Sequence, residues 1–248
     1  MNNHNPIILP LDGMSKEKAL ETAEKFAGRI WGVKVNDLLD QGGAQPLIHE
    51  LSDFGKVFAD PKLHDIPNTV ANRVKRYIGS VAGSRGADFI TVHASGGIEM
   101  MRAAVANRGD SKILAVTVLT SLSEDEAHLI CGKPVKAAVI QMARNALIAG
   151  VQGIVCSPLE LAILGKSPEF NGLIKVTPGV RPEWAAAGDQ ERVMTPGEAI
   201  KAGADYLVIG RPITNPPPEI GSPENAIEKI MAEIEEVRRV SGGDITNV

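Results

Sequence analysis

The sequence predicts a (β/α)8 barrel. Eight short apolar runs recur along the chain, each closing on a polar residue or a glycine. Helical periodicities lie between them, and alternation of strands with helices indicates a parallel sheet covered by helices. The chain has 248 residues, close to the roughly 250 that a closed barrel of this kind takes. The competing architecture is an open doubly wound sheet. No G-x-G-x-x-G follows the first run, which weakens a dinucleotide-binding version of it. With no linker and no low-complexity segment, the expectation is one domain spanning residues 1–248.

The strands follow in order. Residues 7–11 run into Asp12, and residues 31–35 carry Lys34 inside an apolar stretch. Residues 57–59 run into Asp60, residues 89–92 into His93, and residues 113–119 into Thr120. Residues 154–156 close on Ser157, residues 174–176 on Thr177-Pro178-Gly179, and residues 206–209 on Gly210-Arg211. Between them, Ser15 caps a helix with Ala19, Ala23, Phe26 and Ile30 on one face, though Gly28 argues for an earlier stop. Pro67 suits a first helical turn, with Val70, Val74, Ile78 and Val81 facing inward. Ser123-Glu124-Asp125-Glu126 and Thr195-Pro196-Gly197-Glu198 read as capping boxes. Residues 134–150 make a long helix on Val135, Val139, Met142 and Ala146, so the fifth unit holds two helices. Ser222-Pro223 opens the last helix, with Ile227, Ile230, Ile234 and Val237 inward, and the tail beyond residue 240 is expected to fray.

Composition narrows the function. The chain is 44% hydrophobic and 23% charged with a net charge of −4, and no long basic run is present, which argues against a nucleic-acid partner. Cys131 and Cys156 have no metal or redox spacing. No secretory signal and no membrane-length apolar run are visible, so a soluble cytoplasmic protein with no membrane partner is expected.

Barrels place their chemistry at the C-terminal ends of the strands. Asp12, Lys34, Asp60, Lys62, Thr120, Arg181 and Arg211 should therefore converge on one mouth. Asp60 and Lys62 are two apart, so on an extended chain they project to the same side. Charge at the end of a buried strand is costly unless paired. The pair reads either as a structural salt bridge or as a functional ionic site. Lys34 reads either as a member of that site or as a buried stem whose head snorkels to water. The loops after strands seven and eight commonly bind phosphate in this architecture. Here each combines a glycine with an arginine, Gly179 with Arg181 and Gly210 with Arg211, suited to close backbone approach and paired grip on phosphate oxygens. Gln190, in the long loop after the seventh strand, is a candidate to close over the same site, or else an ordinary solvated residue.

The stretch Asp60-Pro61-Lys62-Leu63-His64-Asp65-Ile66-Pro67-Asn68-Thr69 resembles the signature of the orotidine 5′-phosphate decarboxylase family. Gly32-Val33-Lys34-Val35, Thr177-Pro178-Gly179-Val180-Arg181-Pro182, Asp189-Gln190 and Gly210-Arg211-Pro212-Ile213-Thr214 follow in that family's order. The likeness runs from about residue 7 to about residue 234. D-x-K-x-x-D alone is shared with related ketogulonate-phosphate decarboxylases and hexulose-phosphate synthases. The continuation from His64 to Thr69 favours the orotidylate enzyme. The resemblance implies loss of carbon dioxide from orotidine 5′-phosphate to give uridine 5′-phosphate, with neither metal nor organic cofactor. It implies Lys62 as proton donor to carbon 6 and Asp60 beside the departing carboxylate. Lys34 and Asp65 would extend the charge row, and Asp12 and Lys34 would contact the ribose. Thr120 would meet the pyrimidine edge, and Arg181, Gln190, Gly210 and Arg211 the phosphate. It also implies a homodimer in which Asp65 and Thr69 reach the partner's site. His93 and Ser121 receive no role. The alternatives are a metal-dependent sugar-phosphate enzyme on the same barrel and a non-catalytic nucleotide-binding barrel. Two departures stand out. Pro61 replaces the usual leucine-like residue and should take the third strand out of its ladder. Asn215-Pro216-Pro217-Pro218 alters the segment after Arg211.

Overall fold

A computed structural model describes residues 5–41, 43–79, 85–185 and 194–243, with side chains to residue 240 in the last helix. Eight parallel strands close into a barrel in sequence order: β1 (Ile7–Pro10), β2 (Gly32–Val35), β3 (Lys56–Leu63), β4 (Phe89–His93), β5 (Lys112–Val116), β6 (Gly153–Val155), β7 (Ile174–Thr177) and β8 (Tyr206–Val208). β8 pairs back onto β1 through Ile7↔Leu207 and Ile8↔Val208, which closes the sheet and removes its edges. The runner-up open sheet is thereby excluded.

Period-two alternation sorts each strand into two environments. Ile7, Leu9, Val33, Val35, Val57, Ala59, Ile90 and Val92 face outward into the core between barrel and helices. Ile8, Phe58, Phe89, Leu114 and Val176 face the barrel axis, with Trp31 and Tyr206 packed on them. Trp31 stacks on Phe89 at 4.6 Å, and Phe58 meets Phe89 edge-on at 5.9 Å. This aromatic layer fills the barrel below the mouth, and each fully buried Phe contributes about 1.5–3 kcal/mol of burial energy. The next inward positions, two residues on from Gly32, Phe58 and Phe89, are Lys34, Asp60 and Thr91. The polar set at the mouth thus follows from strand geometry.

The helices are α1 (Lys16–Lys25), α2 (Ala44–Ser52), α3 (Pro67–Val74), α4 (Ile98–Ala106), α5 (Glu124–Cys131), α6 (Val135–Ile148), α7 (Leu161–Leu164), α8 (Pro196–Lys201), α9 (Arg211–Thr214) and α10 (Pro223–Gly243). Ser15 caps α1 by accepting from Lys18 N, and α1 stops before Gly28, whose φ is +72°. Both predicted capping boxes form, at Ser123–Glu126 and Thr195–Glu198. The fifth unit carries α5 and α6, as its length predicts. α3 ends at Val74, short of Ile78, and Val81 lies outside the described residues. α10 is helical to Gly243, and residues 244–248 lie outside the described residues. No helix among the described residues is long and apolar enough to cross a membrane.

β3 departs from its expected form. Pro61 has no N–H to donate, and the β3–β4 register shifts between Ala59 and Leu63. The strand does not end there. It resumes with Leu63 opposite Val92, so the disturbance is a bulge over Asp60, Pro61 and Lys62.

Candidate active site

The C-terminal mouth of the barrel encloses a cavity of about 540 Å³. Asp12, Lys34, Asp60, Lys62, Thr120, Arg181, Gly210 and Arg211 all line it, as the strand ends predict. Gln190 lies outside the described residues. Asp65 and Thr69 are not on the lining.

Asp60 is the centre of the charged side of the cavity. Its carboxylate is only 8% exposed. Lys62 Nζ lies 2.7 Å from Asp60 Oδ2, and Lys34 Nζ lies 3.3 Å from the same oxygen. Thr91 donates its hydroxyl to Asp60 Oδ1 at 2.8 Å. Asn36 Nδ2 donates to the Asp60 carbonyl at 2.9 Å. Lys34 also donates to both oxygens of Asp12, at 2.9 and 2.8 Å. Its side chain is 9% exposed, so its head is held in the ionic network and does not snorkel to bulk water. With two lysines on one carboxylate, loss of either leaves Asp60 paired; only loss of both would strand a buried charge, at a cost of about 3–5 kcal/mol. Asp37 Oδ2 accepts from Gly13 N at 3.0 Å and so ties down the loop that carries Asp12.

Lys62 reaches Asp60 by a route other than simple alternation. Its φ is +45°, a left-handed value that no other non-glycine described residue shows. A side chain in that region costs roughly 1–2 kcal/mol. The bulge turns Lys62 back over Asp60, and the Lys62 N–H donates to Thr91 Oγ1 at 2.9 Å. The extended-chain expectation therefore reaches the right pair through the wrong backbone.

Asp65 stands apart from this network. It is exposed, its Oδ1 accepts from the adjacent Ile66 N at 2.7 Å, and among the described residues no cation lies within ion-pair distance. The row within one chain therefore runs Asp12, Lys34, Asp60, Lys62, without the expected extension to Asp65. Beside it, Ile66 is 67% exposed.

Across the mouth, β7 and β8 deliver the two arginine loops. Gly179 adopts a φ of +78°, which an ordinary side chain reaches only with strain. The chain then pairs back, Arg181 N donating to Met194 O at 2.9 Å. At Gly210 a Cβ atom would come within 3.0 Å of Pro10 Cγ. This glycine therefore lets β8 turn close over β1 before Arg211 begins α9. Arg181 is half-buried and Arg211 exposed, both on the cavity wall. Thr120 reaches the cavity from the loop beyond β5, which ends at Val116, earlier than its apolar run suggests.

Two neighbours have shifted titration. Burial holds His93 below the usual histidine range, aided by His64, 5.3 Å away between ring centroids, and by Lys62. His93 therefore stays neutral at pH values where an ordinary histidine begins to charge. Burial pushes the Cys156 thiol far up, so it lines the cavity as a protonated, apolar group. Among the described residues, no three His, Cys, Asp or Glu side chains are grouped to hold a metal ion.

Fold and site together define a (β/α)8-barrel enzyme with an ion-lined mouth. The chain belongs to the orotidine 5′-phosphate decarboxylase / HUMPS family, whose model matches residues 5–230. An orotidine 5′-phosphate decarboxylase of Dichelobacter nodosus is 41% identical over 238 residues, covering 93% of this chain and 99% of that one. One from Rhodopseudomonas palustris is 46% identical, covering 92% and 94%. Among solved structures, orotidine 5′-phosphate decarboxylase from Lactobacillus acidophilus superposes with a TM-score of 0.73 at 33% identity, covering 93% and 99%. An uncharacterized conserved protein from Geobacillus kaustophilus gives a TM-score of 0.74 at 30% identity, covering 92% and 100%.

Thr91, Asn36 and Asp37 are site residues that the sequence reading passed over. A threonine inside a β-branched run looks like any strand former. The available signal was its inward register, two residues beyond Phe89 and beside Asp60.

Proposed function

We propose that this chain decarboxylates orotidine 5′-phosphate to uridine 5′-phosphate in pyrimidine biosynthesis, using neither metal nor organic cofactor. The whole chain, residues 1–248, serves as one catalytic domain, located in the cytoplasm as befits a pyrimidine-biosynthesis enzyme. The observation that carries this reading is the buried Asp60 carboxylate set between Lys62 and Lys34, with two arginine loops opposite.

The reaction breaks the bond between carbon 6 and the carboxylate and leaves its electron pair on carbon 6. That carbanion has no delocalising sink, so stabilisation must come from fixed charge. In this reading Lys62 supplies the positive charge and then a proton from its ammonium group to carbon 6, and regains one from solvent. Asp60 holds Lys62 in place and stands beside the departing carboxylate. Asp12 and Lys34 meet the ribose, Thr120 the pyrimidine edge, and Arg181, Gln190, Gly210 and Arg211 the phosphate. Asp65 and Thr69 serve the partner's site in a homodimer. Support for that exchange is the exposed position of Asp65, off its own cavity lining, next to an isoleucine left in water.

The direct test is the loss of orotidylate absorbance with purified protein, with and without a chelator. Asp12 and Asp60 are already matched by lysines, which leaves a divalent cation little unpaired charge. Turnover is expected to survive extensive chelation within about twofold, since the electrostatic stabilisation comes from protein groups. Because the family also includes HUMPS members, a metal-dependent sugar-phosphate activity is the second reading. Loss of activity on chelation, restored by magnesium, would select it.

The arginine loops make a separate prediction. Binding energy from a non-reacting group can align the reacting centre. Arg211→Ala is expected to lower kcat/KM for the whole substrate by roughly 100-fold, the worth of one or two charge-assisted hydrogen bonds. A substrate lacking the phosphate should lose far less. Equal losses on both would show that Arg211 does not act through the phosphate.

A further inference from the structure

We infer that Thr91 is a positioning residue for this reaction, clamping Asp60 and Lys62 to each other through one hydroxyl. The inference rests on the roles proposed for those two residues and adds β4 to the machinery. Thr91 is fully buried on β4, facing the barrel axis one layer above Phe89. Its hydroxyl makes two bonds of different kinds. It donates to Asp60 Oδ1 at 2.8 Å and accepts from Lys62 N at 2.9 Å. An ionised carboxylate only accepts and a backbone N–H only donates, so the orientation of the hydroxyl is fully determined.

Both bonds answer a need created by the bulge. Pro61 and the register shift take Lys62 out of regular pairing with β4, and its N–H finds its partner in the Thr91 side chain. Lys62 sits there at φ +45°, a conformation that persists only when its surroundings enforce it. Asp60 presents Oδ2 to the two lysines, which leaves Oδ1 for Thr91. One hydroxyl therefore sets the rotation of the carboxylate and the backbone from which the lysine projects. The ammonium–carboxylate distance of 2.7 Å follows from both. The methyl group of Thr91 has no part in this, so valine keeps the shape of the site and removes the clamp.

The experiment compares Thr91→Val, Thr91→Ser and Thr91→Ala with the parent enzyme. It measures kcat, KM and hydrogen exchange at the Lys62 amide. A misplacement of about 1 Å at a reacting group costs on the order of 100-fold in rate. Thr91→Val is expected to lose about that much in kcat, with KM changed less than about threefold, because binding is carried by other residues. The Lys62 amide should exchange faster in Thr91→Val, and Thr91→Ser should restore both the rate and the protection. If Thr91→Val does not fold, the Thr91→Ser and Thr91→Ala pair, which differ only in the hydroxyl, decides between the same outcomes. A variant without the hydroxyl that keeps parental kcat, or parental protection at Lys62, overturns the inference. Absence of turnover in the parent itself would instead overturn the decarboxylase reading, while the exchange measurement would still report whether the clamp exists.

Discussion

Lys62→Ala is expected to abolish turnover, with a loss of about 10⁴-fold or more in kcat, since under the proposed mechanism it removes both a general acid and a charge aimed at the developing carbanion. The expectation follows from where Lys62 sits. Its ammonium is 2.7 Å from a carboxylate that is almost fully buried, yet its side chain is still 35% exposed toward the cavity. It is held by protein on one side and faces the ligand space on the other. Fold and product binding should persist. Asp60 retains Lys34 at 3.3 Å and the Thr91 hydroxyl, so its charge is not orphaned. Affinity for uridine 5′-phosphate is expected to stay within about tenfold, because the two arginine loops proposed to hold its phosphate are intact. The measurements are single-turnover kinetics, product titration and a thermal melt on the same preparation. Residual turnover within tenfold of the parent would remove Lys62 from the proposed role of proton donor.

The barrel was legible because its two periodicities are plain. Residues 31–35 and 57–59 are apolar on the outward face, and the inward positions that follow are charged, so Lys34 and Asp60 announce themselves at the mouth. Both capping boxes and the doubled fifth helix were legible from local chemistry alone. α2 and α4 went unremarked, although Leu47, Ile48 and Leu51 mark a buried face, because no capping side chain announces either start. The conformation of Lys62 was not legible at all. Proline at 61 signalled a break in pairing, but whether a strand ends or bulges depends on what its neighbour offers. Here β4 offers the Thr91 hydroxyl and then Val92 as a place to rejoin. Asp65 was legible as a charge beyond the strand. That it stays out of its own chain's ionic row depends on the path of the loop, which spacing does not encode.

The position of Asp65 leads to the second large effect. If each subunit lends Asp65 to its partner, the exchange in a two-fold dimer is reciprocal. Homodimers of Lys62→Ala and of Asp65→Ala are then both expected to be nearly inactive, since every site in each carries one defect. A mixed dimer differs. One of its sites joins an intact Lys62 to an intact Asp65 from the other chain, and the other site carries both defects. When equal amounts of the two variants exchange subunits statistically, about half of the dimers are mixed and each has one of two sites repaired. Specific activity should therefore rise from near zero to roughly a quarter of the parent's, a value set by two-fold symmetry alone. The effect is large because it starts from two proteins that are each nearly inactive, and the Asp65→Ala homodimer, measured alone, gives the baseline. The measurement is activity after mixing under conditions that permit exchange, with mixed dimers confirmed by mass-labelled subunits. A site completed within one chain behaves differently, because every chain then carries one defect whatever its partner. Confirmed mixed dimers without recovered activity would thus return Asp65 to its own subunit and remove the shared site.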